Sequence, residues 1–369
     1  MNRLFGWKQT GLFLLALAAG ILPFAVPEVC AAALREGLTL CSGPLLLSLF
    51  PFLVVSRLLI QCPESDLLAL PFRLAAWGIG IRTPCAARVL CIGFLGGFAP
   101  AASAAAQAVR TGQLTAEEAD ALLPACICSG PSFVVLTVGQ SLLGSAELGV
   151  LLFASQITAN YLTAALLNRF AGMHSVKPGS AAPAFPAPPR LDEILADAAI
   201  TYCKLCGFIL FFRMLAAGAG ALLPAGAGTL CSILLEVCSG CDLASRTGRW
   251  GSLLCCAALS VQGLSVLLQV RTICPPEMTL RPLYRSRLLH LPLSLALFYL
   301  LLPGGEADVF STLPARVLLK RRVPPDCALL VFAVCCMAAC TLRSGIRQVE
   351  QKQMARNAGG CCINSKTLL

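Results

Sequence analysis

Charge is absent from long, regularly spaced stretches of this chain. No Asp, Glu, Lys or Arg occurs between Lys8 and Glu28, Glu36 and Arg57, Arg88 and Arg110, Asp120 and Glu147, or Glu147 and Arg169. The same holds between Arg213 and Glu236, Arg249 and Arg271, Arg287 and Glu306, and Asp326 and Arg343. Each stretch approaches the roughly 20 residues a helix needs to cross a bilayer. Composition agrees: 57% of residues are hydrophobic and 12% charged, about half the charge of an ordinary soluble domain. These features predict an all-α polytopic membrane protein with about eight to ten transmembrane helices, and they exclude soluble enzymes, DNA-binding modules and disulfide scaffolds.

The net charge of +10 sits in loops and tails, including the basic tail of residues 343–369. Such charge fits anionic headgroups at a cytoplasmic face rather than nucleic acid. Twenty-one cysteines lie mostly within apolar runs, where cysteine acts as a small hydrophobe. The pairs Cys203/Cys206 and Cys238/Cys241 have metal-site spacing, but they fall in or beside bilayer segments in a chain with two histidines. Packing is the expected role, with no metal and no cofactor.

The first apolar run ends near Cys30-Ala31-Ala32-Ala33 and reads as an uncleaved transmembrane helix within residues 1–35. Further crossings are expected near 38–60, 88–109, 121–143, 147–168, 198–223, 250–270, 286–302 and 327–342, with a half or full crossing at 226–240 and an interfacial helix at 67–81. Prolines 178, 183, 186, 188 and 189 make residues 173–191 an extended linker. It divides a first half (36–172) from a second (192–302), before a loop and last helix at 303–342.

The halves resemble one another. Phe52 to Arg57 recurs as Ile209 to Arg213, Ala108 to Thr111 as Gln269 to Thr272, and Leu122-Leu123 as Leu288-Leu289. The offsets run from 156 (Arg57 to Arg213) to 166 (Leu122 to Leu288). Internal, often inverted, repeats of this kind build secondary transporters, with the substrate held at the repeat interface.

Helix-breaking residues stand near the middle of several spans: Gly96-Gly97-Phe98-Ala99-Pro100, Cys128-Ser129-Gly130-Pro131-Ser132, Glu236 to Cys241, and Gln262-Gly263-Leu264-Ser265. A Gly-Pro break frees backbone groups that lipid cannot satisfy, so it belongs where it is buried in protein or lines a polar cavity. One break alone reads as a packing kink; two per half read as a site. The helix starting at Ser132 would aim its N-terminal N–H groups at an anion. The candidate substrate-binding residues are Phe98, Pro100, Ser103, Cys128, Ser129, Gly130, Pro131, Ser132, Cys238, Ser239, Gly240, Gln262, Gly263 and Ser265. Glu236, an ionisable group at membrane depth, is the candidate for coupling or gating, through H+ or Na+. Capping Ser239 and Gly240 is its alternative role. Arg57, Lys204 and Arg213 lie near span ends, where snorkelling explains them as well as substrate binding does. His290 is expected in or beside a loop.

These residues resemble a family. Gly93-Phe-Leu-Gly-Gly-Phe-Ala-Pro100, then Leu114 to Ala119, then Cys126-x-x-Ser129-Gly130-Pro131-x-Phe133, are similar to the YlbJ-type sporulation integral membrane proteins, which carry a nucleoside-recognition, or gate, domain. Leu234-Leu235-Glu236-Val237, Gly240, Gly263-Leu-Ser265-Val266 and Gln269-Val270 extend the resemblance. It implies kinship with concentrative nucleoside transporters, a role in endospore formation at the mother-cell or outer forespore membrane, and movement of the dianion dipicolinate. The family tends to carry Asn or Thr where this chain has Ile127, Cys128, Cys238 and Ser239, His in place of Gln156, and Gly in place of Gln262. The expected function is transport of a small anionic metabolite by alternating access, with the lipid bilayer and a second copy of the chain as partners. The alternative is a non-transporting scaffold for spore assembly; an enzyme is not expected.

Overall fold

Proline and glycine decide where the helices of this chain stop. The computed structural model describes residues 2–61, 65–170 and 190–302, and all regular structure there is helical. Nearly all of the linker, the loop at 303–326, the crossing expected at 327–342 and the basic tail lie outside the described residues.

Helix α1 (Asn2–Ala25) does not continue to residue 35. It meets α2 (Pro27–Ser42) at Val26, and the pair is bent by 108°. Pro27 supplies no N–H and its ring pushes Val26 out of the helical region, to φ −138° and ψ 63°. The single N-terminal helix expected within 1–35 is thus corrected to a bent pair. After Gly43 comes α3 (Pro44–Gln61), then two short helices, α4 (Ser65–Leu68) and α5 (Leu70–Gly78). Trp77 on α5 is exposed, as suits a segment at a membrane interface.

The remainder alternates broken and unbroken helices. In the first half α6 (Pro84–Gly96) and α7 (Phe98–Arg110) are parted by Gly97, and α8 (Ala116–Cys126) is parted from an 11-residue π-helix, π1 (Ser132–Leu142). An unbroken α9 (Ala146–Phe170) closes this half. The second half opens with the unbroken α10 (Leu191–Leu222). Glu236 then parts α11 (Ala225–Leu235) from α12 (Val237–Ser245), and Gln262 parts α13 (Gly251–Val261) from α14 (Gly263–Ile273). Helix α15 (Arg281–Leu301) ends the described chain.

From α3 onward the order unbroken, broken, broken, unbroken therefore occurs twice. Matching by order pairs Gly97 with Glu236 and the 127–131 break with Gln262. Two other sequence pairings do not follow this order. Ala108 to Thr111 lies on α7 and its neighbour, but Gln269 to Thr272 lies on α14 rather than α12. Likewise Leu122 lies on α8 and Leu288 on α15. Short Leu/Val/Arg strings match by composition alone, whereas breaks are rarer and locate the register better.

Among the described residues three helical segments are long and apolar enough to cross a membrane: Ala146–Phe170, Leu191–Leu222 and Gly248–Ile273. The bent pair Leu15–Ala25 with Pro27–Ser42 makes a fourth. Several other expected crossings are short halves such as Pro84–Gly96 and Ala225–Leu235, so the expected eight to ten are not reached by helix length and composition alone. Large apolar side chains point outward along these helices, including Phe24, Phe170, Leu288 and Leu300. That is the surface expected of a chain solvated by lipid.

Inside, small residues set the spacing. Helix α7 buries alanines 99, 101, 102, 104, 105, 106 and 108 against its neighbours. The halves are also tied by polar contacts. Asp120 of α8 accepts from Thr279 N (2.8 Å), Thr279 Oγ1 (2.7 Å) and Leu280 N (3.0 Å), holding the left-handed Leu280 (φ 57°) that starts α15. Thr115 and Glu118 form a reciprocal capping box at the start of α8.

Candidate functional site

Each half brings its two breaks together, backbone against backbone. Gly97 (φ 81°, ψ −164°) has a conformation open only to glycine, and a Cβ there would stand 2.7 Å from Gly130 N. In the second half Gly263 (φ 68°) is pressed against the other break: a Cβ would stand 3.0 Å from Leu235 O and 3.1 Å from Glu236 N. The two crossings involve elements that correspond by order. Glycine at these points permits an approach that any side chain would block.

A cavity of about 60 Å³ lies where the breaks of both halves meet. The first half contributes Gly96, Phe98, Ser129, Gly130 and Ser132, and the second Glu236, Cys238 and Gln269. Leu49, Leu95, Phe133, Ile209 and Val266 are among its apolar walls. The space holds a few water molecules and is smaller than the roughly 150 Å³ apolar cavity that accommodates benzene.

The two halves present opposite electrostatic situations here. Glu236 is the N-cap of α12: Cys238 N donates to Oε1 (2.9 Å), while Ser239 N (2.7 Å) and Ser239 Oγ (2.9 Å) donate to Oε2. A buried carboxylate thus fills the anion position at that helix end. No side chain caps π1, and among the described residues the hydroxyls of Ser129 and Ser132 make no hydrogen bond to protein. The first-half helix end therefore has no acidic cap, whereas the second-half end carries its own.

Several candidate residues support this cavity without lining it. Pro100 packs on Gly96, where a Cβ would meet its ring at 2.9 Å. The Cys128 thiol points toward Gly93 O at 3.9 Å. Pro131 is the N-cap residue of π1, and Gly240 lies tight against Ile233. Ser239 binds Glu236, and Ser265 Oγ accepts from Gln269 Nε2 at 2.9 Å. Gln262 is buried with φ 67°, its Nε2 donating to Leu259 O at 2.9 Å. Ser103 is placed elsewhere: it lines a second, larger cavity with Arg57 and Lys204. Arg213 lines neither cavity and pairs with Glu36 at 2.7 Å.

Three polar residues outside the candidate set matter. Gln269 reaches the cavity, and its Oε1 is buried without a partner. Arg287, buried in α15, donates to Ile127 O (3.4 Å), Ser260 O (3.5 Å) and Asn160 Oδ1 (3.3 Å). The two carbonyls belong to the C-terminal ends of α8 and α13, one from each half, where a cation complements the dipole. His290, expected at a loop, is fully buried one turn further on, 3.2 Å from Gln156 O through Nε2. Helix α15 starts at Arg281, with Pro282 in its first turn, more than a turn before the expected 286, so Arg287 stands within the helix rather than at its start.

Among the described residues no three His, Cys, Asp or Glu side chains stand together as metal ligands. Cys203 is exposed on α10, while Cys241 is buried beside Cys255, whose thiol lies 3.5 Å from Cys241 O. Comparison of the chain with protein-family models, characterised proteins and solved structures finds no match.

Proposed function

We propose that this chain is an integral membrane transporter of a small anionic metabolite, bound in the cavity between the broken helices of the two halves. The observation that carries the reading is the asymmetry of the helix ends. Glu236 caps α12, whereas the start of π1 has unpartnered Ser129 and Ser132 hydroxyls and no acidic cap of its own, with Glu236 lining the same cavity from the other half. A solute carboxylate completes the first half as Glu236 completes the second. A π-helix at this point is consistent with a functional site, since such helices are rare and concentrate there.

The narrow cavity corresponds to a closed form, which rocking of one half against the other must widen before a ring-sized solute enters. Glu236 and Gln269 are the acceptors available to a coupling H+ or Na+. The resemblance to YlbJ-type sporulation membrane proteins supports dipicolinate as the substrate and a forespore-facing membrane as the location. Counterflow of labelled dipicolinate, with a nucleoside in parallel, into proteoliposomes holding the full chain tests this. Saturable exchange of dipicolinate is expected, and exchange of neither solute would overturn the proposal.

A further inference from the structure

The larger cavity, about 160 Å³, is lined by Arg57, Ser103, Arg110, Asp197, Lys204 and Thr272, among others. It lies on α3, α7, α10 and α14, four of the helices that also wall the central cavity. Phe98 faces the central cavity and Ser103 the larger one, about 7.5 Å further along α7. Gln269 and Thr272 stand in the same relation on α14, about 4.5 Å apart. An apolar cluster of Leu53, Ala99 and Leu205, with Leu49, Phe98 and Ile273 packed on it, joins the two spaces: Leu205 and Ile273 line the larger one, Leu49 and Phe98 the central one. The cavities are therefore in series, separated by an apolar septum.

Resting on the transport reading, we infer that the larger cavity is an anion-capture site for a carboxylate or phosphate group, feeding the central one. Three cations and one acid line it. Arg57, with 12% of its side chain exposed, binds Asp197 at 2.5 Å and Thr201 Oγ1 at 3.2 Å, leaving Nε without a partner. Arg110 and Lys204 form no ion pair among the described residues. Asp197 is 63% exposed, and so exposed a partner exchanges readily with an incoming anion. It acts as an internal competitor: a solute carboxylate takes its place on the guanidinium fork, with Lys204 and Arg110 neutralising further charge. The septum then keeps the captured anion from the central cavity until the helices move.

Equilibrium titration calorimetry tests this with dipicolinate as the probe, on the purified full chain in phosphatidylcholine nanodiscs at low salt. Arg57→Gln combined with Lys204→Gln is expected to weaken binding about tenfold or more, the scale of a lost charge-assisted contact. Asp197→Asn, a milder change, is expected to tighten it. A second arm replaces part of the lipid with phosphatidylglycerol. If a headgroup is the natural occupant, anionic lipid lowers dipicolinate affinity in the wild type and no longer does so in the double variant. Unchanged affinity in both variants, with no dependence on anionic lipid, would overturn the capture site. Binding is read without transport, so a protein that binds but exchanges nothing refutes the transport reading alone. Wild-type affinity in the variants of an exchanging protein refutes the capture site alone.

Discussion

A side chain on Gly97 would collide with the backbone of Gly130, its Cβ 2.7 Å from the amide nitrogen. This contact fixes the crossing of the two breaks in the first half. Gly97→Ala is therefore expected to cost about 2 kcal/mol or more, combining backbone strain with overpacking. Gly112, with φ 70° and nothing within 4 Å of its Cβ position, is the control. Gly112→Ala is expected to cost only about 1–2 kcal/mol of backbone strain. Thermal unfolding in detergent compares the two, and equal losses would remove the crossing from the account of stability.

Glu236 holds α12 as its N-cap. Glu236→Ala leaves the Cys238 and Ser239 N–H groups without the acceptors they now have, and is expected to lower stability by about 1–3 kcal/mol. Glu236→Asp, a strong N-cap residue in its own right, is expected to recover most of that loss. The same unfolding measurement decides: no recovery by Asp would show that the carboxylate acts through something other than capping.

Arg287 joins the ends of α8 and α13 through Ile127 O and Ser260 O. Arg287→Met removes the shared donor and is expected to cost on the order of 2 kcal/mol. Arg287→Lys is expected to restore little, because one ammonium cannot reproduce a planar fork reaching three acceptors. Full rescue by Lys, read from chemical or thermal unfolding, would reduce Arg287 to a point charge.

Asp120 links the halves on the other side of α15. Asp120→Ala is expected to destabilise by about 2 kcal/mol, since Thr279 N and Leu280 N lose their acceptor. Asp120→Asn keeps one carbonyl oxygen and is expected to lose less. Proteolysis of the segment around Thr279 under native conditions reads the loosening directly.

Much of this arrangement was legible in the residues. Gly97, the Gly130-Pro131 pair and Gly263 mark breaks because glycine and proline have strong local rules, although Pro23, Pro51, Pro124 and Pro292 stay inside helices. That the breaks meet in pairs was not legible, since crossing is a long-range property of two backbones. Arg287 and His290 were missed for a specific reason. Charge-free gaps treat each charged residue as a span end, yet Arg287 lies inside α15, compensated by carbonyls that carry no sequence signal. Pro27 was visible, but the length of the surrounding apolar run concealed the bend it causes. Ser103 was expected among the substrate-binding residues at the breaks, and its placement in the larger cavity followed only from how α7 is turned.

Whether the unpartnered start of π1 binds the transported anion is most directly measured by uptake. Proteoliposomes holding wild-type protein, Ser129→Ala or Glu236→Gln are loaded in parallel, and insertion is matched by quantifying reconstituted protein. Transport at this cavity predicts saturable dipicolinate accumulation by the wild type, with both variants impaired at equal protein content. Wild-type accumulation by both variants would contradict it.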